Sequence, residues 1–280
     1  MALSIHTNYA SLVTQSNLNK TNGNLSTAQQ RLGTGYRVNS AADDAAGLQI
    51  ATRLNAQSRG MDVASRNTGD AISLLQTAEG AFTEITDITQ RLKDLATQAA
   101  SDTNSADDRT ALQGEFDALA LEIENIFQNT TYAGEKLFDT GGKLQAGPVN
   151  FQIGATADET LAFDASTKVD GMATLITDIK ALTLDDAANA GAAITALADG
   201  LDDIGALRAD FGANINRLNH TSNNLANMKD NTDVARGRIM DADFASESAS
   251  MTKNSMLMQS GISMLRQSGQ MPSMVMSLLG

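Results

Sequence analysis

Between Ala71 and Ala99 this chain repeats one apolar rhythm: Ala71, Leu75, Ala78, Phe82, Ile85, Thr89, Leu92, Ala96 and Ala99 stand alternately four and three residues apart. That spacing holds a narrow stripe on one helix face, the pattern of a coiled-coil seam, and its alanines and threonine let a second helix come close. Ser, Asp, Thr and Asn at 101 to 108 interrupt the rhythm, which resumes at Leu112, Phe116, Leu119, Ile123 and Ile126. A short polar linker between two such helices favours an antiparallel hairpin. Asn129 to Gly134 should end the second helix.

A third seam lies far downstream. After Asp185 and Asp186 an alanine-rich run leads into Leu197, Leu201, Ile204, Phe211, Ile215, Leu218 and Leu225. Arg208 and Ser222 occupy positions on it; a buried polar residue there fixes register, or Arg208 carries its charge out to water along its stem. Gly205 and Gly212 argue against an unbroken helix, and Gly237 is the expected joint to the last segment. Between the seams, Val149, Phe151 and Ile153 alternate with polar residues, as do Leu161 and Phe163, with turn residues from Gly154 to Glu159. This predicts a small β-hairpin on the helices, followed after Asp170 by a short helical piece with Leu175, Ile179 and Leu182.

The two ends share a composition that the middle lacks. Residues 1–42 carry Lys20, Arg31 and Arg37 and no acid, residues 248–280 carry Lys253 and Arg266 and no acid, and all 33 acidic residues lie from Asp43 to Glu247. Because buried charge is costly unless paired, charge-poor ends fit segments that enter an interior on assembly; frayed polar tails are the alternative. Leu18, Leu25 and Leu32 recur every seven residues near the start, with Leu12 and Ala28 on nearby faces. Met251, Met258, Ile262 and Leu265 form a stripe near the finish, broadened by Met256, Leu257 and Met264, in a segment holding 7 of the 12 Met (Met271, Met274 and Met276 among them). So apolar a helix should associate with other copies of itself or with the first helix. Gly33 and Gly35 provide the turn that ends the first helix, and Ser40 with Asp43 predicts a capped restart.

The fold class that follows is mainly α, an elongated antiparallel helical coiled-coil bundle with a small β-hairpin region. Its segments are 1–42, 43–140, 141–184, 185–237 and 238–280. No Trp, 2 Pro and 4% aromatic residues suit thin paired helices better than a thick core. No Cys excludes disulfides and thiolate chemistry. A net charge of -13 argues against nucleic acid as a partner. No signal peptide is visible, and no apolar run is long enough for membrane insertion.

Nothing marks an enzyme, and no cofactor is expected. Asp241, Asp243 and Glu247 read as a divalent-metal cluster or, more simply, as acids at a helix start. His6 and His220 have no ligand partner at zinc spacing, Asp43 and Asp44 point to different helix faces, and no phosphate-binding loop is present.

Five stretches in order, SIHTNYASLVTQSNLNK, RLGTGYRVNSAADDAAGLQIATRL (31–54), RNTGDAISLLQTAEGA (66–81), ADFGANINRL (209–218) and RIMDADFASE (238–247), resemble bacterial flagellin, the subunit of the flagellar filament. The resemblance implies a structural, non-enzymatic protein that polymerises into an extracellular helical filament for swimming motility. The terminal segments would form an inner tube packed through Leu18, Leu25, Leu32, Met251, Met258, Ile262 and Leu265. An outer tube would be held by the seam residues Leu75, Phe82, Ile85, Leu92, Leu112, Phe116, Leu119, Phe211, Ile215 and Leu218. It implies type III export, an export chaperone over the last helix, and filament cap and junction proteins as partners besides the chain itself. It also implies an innate-immune contact, with Toll-like receptor 5, at Arg91, Leu95 and Glu115; solvated charges or subunit contacts are the alternative. A hook-filament junction protein of the same superfamily is the second functional reading. Gly33 and Thr34 stand where the family commonly has two serines.

Overall fold

A computed structural model describes residues 7–279, with side chains to residue 270; His6 and the side chains of Met271, Met274 and Met276 lie outside the described set. In chain order the elements are α1 (Tyr9–Thr34), α2 (Ala45–Ala99), α3 (Ala106–Asn129), β1 (Thr131–Tyr132), β2 (Glu135–Lys136), β3 (Val149–Gln152), β4 (Thr160–Phe163), α4 (Ser166–Ala181), α5 (Ala187–Met240) and α6 (Phe244–Leu279). The chain divides into two compact units, Met1–Ser58 with Asp230–Gly280, and Arg59–Lys229, so the divisions fall inside α2 and α5.

In the unit of residues 59–229, α2 and α5 run antiparallel, since Asp62 pairs with Lys229 and Glu79 with Arg208. Every member of the α2 seam from Ala71 to Ala99 is buried. The polar member Thr89 is buried too, its hydroxyl donating to the Ile85 carbonyl at 2.7 Å, and Thr68 does the same to Ala64 at 2.8 Å. A hydroxyl bonded within its own helix enters a dry seam without an orphaned donor. Arg208 resolves its two readings by doing some of each: it stays partly exposed, pairs with Glu79 at 2.9 Å and donates to the Thr86 hydroxyl at 3.3 Å.

The helix α3 folds back on α2, with Arg109 donating to the Ala99 carbonyl at 2.9 Å and Arg91 pairing with Glu115. It starts from a Ser105–Asp108 capping box, where hydrogen bonds from Ser105 hold the Asp108 carboxyl below the usual carboxylate range. Its buried set is Phe116, Ala120, Ile123 and Phe127; Leu112, Leu119 and Ile126 pack at the margin, because the stripe faces α4 as well as α2. Lys180 of α4 pairs with Glu124 at 2.6 Å, and the Gln113 amide oxygen accepts from the Leu184 N–H at 2.6 Å. The hairpin of β3 and β4 places Val149 opposite Phe163 and Phe151 opposite Leu161.

Phe82, fully buried, meets Phe138 edge-on at 4.9 Å and Phe211 at 5.8 Å; Phe127 stacks on Phe138 and Phe163 leans on Phe211. Five rings from five segments thus meet at one level of the unit, each contact adding to the burial it shares.

Four sequence expectations are corrected. The helix after the first turn does not restart at Ser40. Asp43 accepts from the Asn39 and Ser40 N–H groups, which closes a turn, and Asp44 caps α2 through the Gly47 N–H at 2.8 Å. Gly205 and Gly212 do not interrupt α5, because Ile204, Leu207 and Phe211 bury on either side and outweigh a propensity loss of about 1 kcal/mol per glycine. Gly237 lies inside α5, and the joint comes at Asp241–Asp243. The short helix α4 begins at Ser166, before Asp170, where Asp164 accepts from Ser166. The small β1–β2 hairpin, at a place read only as a helix end, turns through Ala133 and Gly134 at positive φ.

Replacing Phe82 by Ala should lower the free energy of unfolding by about 3–5 kcal/mol, because the cavity opens beside the Phe138 and Phe211 rings, on which the other two lean. Urea unfolding of the variant beside the parent checks this, and a loss under about 1 kcal/mol would show that the rings do not hold the unit together.

Candidate assembly surface

In the unit formed by residues 1–58 and 230–280, α1 and α6 lie antiparallel. The Asn8 side chain donates to the Ser268 carbonyl at 2.7 Å at one end, and Arg31 meets Glu247 at 3.3 Å at the other. Asn8 also caps α1, accepting from the Ser11 N–H at 3.1 Å. The contact stripe on α1 is Ser11, Thr14, Leu18, Thr21, Leu25, Ala28 and Leu32, spaced three and four apart. The three leucines named from sequence are therefore on it, all half-buried. On α6 the stripe is Met251, Asn254, Met258, Gly261, Leu265 and Ser268.

Ile262 is 39% exposed and faces away from α1, where the inward place belongs to its neighbour Gly261, so Ile262 lies on the open face of α6. A Cβ on Gly261 would stand 2.8 Å from Leu18 Cδ1, so the leucine fills the notch that the missing side chain leaves. Ile262 and Gly261 both fit a three-four alternation between Met258 and Leu265, so spacing alone does not choose between them.

The connectors on either side of the pair are tied together. Tyr36 and Asp241 form an antiparallel bridge, with the Arg37 N–H donating to the Met240 carbonyl at 2.6 Å and the Ala242 N–H to the Gly35 carbonyl at 2.9 Å. The Arg37 guanidinium adds a bond to the Ile239 carbonyl at 2.8 Å. Of the two glycines expected to turn the chain, Gly33 stays in α1, and Gly35 alone adopts the left-handed conformation, φ 76°, that ends the helix. Backbone bonds from Ser40 and Asn39 to Asp43, with the Ser40 hydroxyl, hold the Asp43 carboxyl below its ordinary range. Beside the joint, Ser58 donates to Asp233 at 2.9 Å and Arg236 to the Asn55 side chain at 2.8 Å, pinning α2 to α5.

The outer faces of this pair are bare. Ala28 is the single fully buried residue of α1, and no α6 side chain through Gln270 is fully buried. Tyr9 (68% exposed), Leu12, Val13, Phe244 (62%), Met256 (58%), Leu257 and Met264 (64%) face away from the pair. The register set by Asn8 and Arg31 brings Leu12 level with Met264. Arg31 Nε and the Ser268 hydroxyl are buried with no hydrogen-bond partner among the described residues. Each such group costs about 1–3 kcal/mol, so these helices are poorly provided for as an isolated pair.

The third sequence-derived group divides. Arg91 and Glu115 are on the surface, joined by two hydrogen bonds of 3.1 and 2.5 Å. Leu95 is 1% exposed inside the core, so it is no surface contact of this chain. Asp241, Asp243 and Glu247 separate into a bridge residue, the acceptor for the Ala245 N–H, and the partner of Arg31. Among the described residues no group of three His, Asp or Glu could hold a metal ion, and no helix is long and apolar enough to cross a membrane.

Comparison with known proteins gives a consistent result. The profile of the bacterial flagellin N-terminal helical region matches residues 5–142, and that of the bacterial flagellin C-terminal helical region matches residues 194–279. The chain is 41% identical to a flagellin of Halalkalibacterium halodurans over 90% of each chain. It is 34% identical to flagellin A of Vibrio anguillarum over 100% of each. A putative flagellar hook-associated protein from Vibrio parahaemolyticus is similar in fold, with a TM-score of 0.58 at 15% identity over 71% of this chain and 100% of that one.

The joint makes a paired prediction. Gly35→Ala should cost about 1–2 kcal/mol, since an L residue there is strained at positive φ. Gly33→Ala should gain up to about 1 kcal/mol of helix propensity. Urea midpoints moving in opposite directions would bear this out, and midpoints moving together would contradict the geometry of the joint.

Proposed function

We propose a role for the α1–α6 surface on the premise that this chain belongs to the bacterial flagellin family. The chain is a structural subunit of the flagellar filament, the extracellular propeller of swimming motility. Copies join through the open faces of α1 and α6, which form the inner tube, while α2, α3 and α5 form the outer one. The observation that carries this reading is the mismatch between two long helices, Tyr9–Thr34 and Phe244–Leu279, and the single fully buried residue, Ala28, found on α1 and on α6 through Gln270. Helices this short of buried surface gain most of their stability from packing that one chain does not provide.

The absence of acids from residues 1–42 and 248–280 supports the same reading, because copies brought together there meet no carboxylate. The hook-filament junction reading is the weaker one, since identities of 34–41% over nearly the whole chain are with flagellins, whereas the likeness to a putative flagellar hook-associated protein, at 15% identity, is of fold alone. Before assembly an export chaperone covers α6, and the chain leaves through the type III apparatus to grow beneath the filament cap.

Purified chain, seeded and viewed by negative-stain electron microscopy, should form long uniform filaments, and the chain lacking residues 248–280 should form none. The truncated chain should also fail to co-purify with the chaperone. Filaments from the truncated chain would remove α6 from the assembly surface; failure of both chains to polymerise would raise the junction-protein reading.

Toll-like receptor 5 is the proposed outside partner, now through Arg91 and Glu115 without Leu95. Alanine at both positions should reduce receptor-dependent reporter signalling by monomer about tenfold or more, as loss of one charged contact does at an interface. Unchanged signalling would leave the pair as a brace between α2 and α3.

A further inference from the structure

The exposed face of α6 carries sulfur where assembly requires an apolar surface. Met256 and Met264 are 58% and 64% exposed, whereas Met251 and Met258 are half-buried on the stripe toward α1, and Met61 and Met172 are each 2% exposed in the other unit. The chain has no cysteine, so no thiol competes for an oxidant. Thioether oxidation follows access to the sulfur, and its product is polar and chiral.

We propose that Met256 and Met264 are an oxidative modification site that gates assembly. The oxidant class is a two-electron oxygen donor, hydrogen peroxide being the simplest. A sulfur lone pair attacks one peroxide oxygen, an S–O bond forms as the O–O bond breaks, and the other oxygen leaves as hydroxide and takes the proton that the sulfur-bound oxygen gives up, so that sulfoxide and water result. Sulfur loses two electrons and the peroxide gains them. The sulfoxide is a polar group where the thioether was apolar, so burying it in a subunit contact carries a desolvation cost that the thioether does not, and the contact loses its dry packing. The proposal rests on the reading of the α6 face as a subunit contact, and it adds a direction in time: free monomer is sensitive, and a subunit already in the filament has its two sulfurs covered.

The test treats monomer and preformed filaments with hydrogen peroxide in parallel, removes the oxidant, and follows seeded elongation by electron microscopy and sulfoxide at each methionine by peptide mass spectrometry. In monomer, Met256 and Met264 should convert ahead of Met61 and Met172, with elongation lost. In filaments the same two should be protected. The double variant Met256→Leu/Met264→Leu should elongate after treatment, and methionine sulfoxide reductases should restore the treated parent, a readout that does not depend on the variant folding. Full elongation by monomer carrying both sulfoxides would overturn the proposal, as would equal oxidation in filaments, a double variant as sensitive as the parent, or no recovery on reduction. Untreated parent that never elongates would overturn the subunit reading itself, and the proposal with it.

Discussion

The fold depends on bringing together segments from opposite ends of the sequence. Arg31 meets Glu247 and Asn8 meets Ser268, while the connector at Gly35–Arg37 shares backbone hydrogen bonds with that at Met240–Ala242. The Arg31–Glu247 ion pair, partly open to water, is worth at most about 1 kcal/mol. Its contribution is placement. With both ends of the α1–α6 stripe fixed, Leu18 reaches the Gly261 notch, and the side chains left over all point outward. The assembly surface is therefore what remains after internal contacts are satisfied.

The two compact units show opposite solutions to the same shortage of bulk. The unit of residues 59–229 gathers phenylalanines onto one level and fills the rest of the α2 seam with leucine, isoleucine, threonine and alanine, which suffices to bury it completely. The other unit has no such cluster among its described residues, and glycine, serine and threonine share its stripes with leucine and methionine. A seam of that kind brings helices close and removes little apolar area from water, so its stability must be completed by neighbours.

Much of this could be read from the sequence where a pattern is long. The seam from Ala71 to Ala99 named its buried residues correctly, and the alternation at Val149–Ile153 and Leu161–Phe163 located β3 and β4. Local chemistry was less legible. Both Asp43 and Asp44 are fit to cap a helix, and their order is decided by the turn that Asp43 closes with Asn39 and Ser40. Gly35 and Gly33 are the same residue with opposite conformations, separated by which one meets the end of α1. Leu95 lies in the core and Ile262 faces away from α1 for a shared reason: side-chain type says what a residue can do, and one step around a helix decides which way it faces.

Thr68 and Thr89 have a mechanical consequence. Each hydroxyl is bonded to a carbonyl one turn back in its own helix, so neither binds α2 to a neighbour. When adjoining helices shift along their axes, these seam positions break no hydrogen bond and leave no donor exposed. Arg208, tied to Glu79 and Thr86, resists that displacement at one level. A structure pinned at discrete levels and smooth between them can bend elastically, absorbing strain as small axial slips rather than as local rupture.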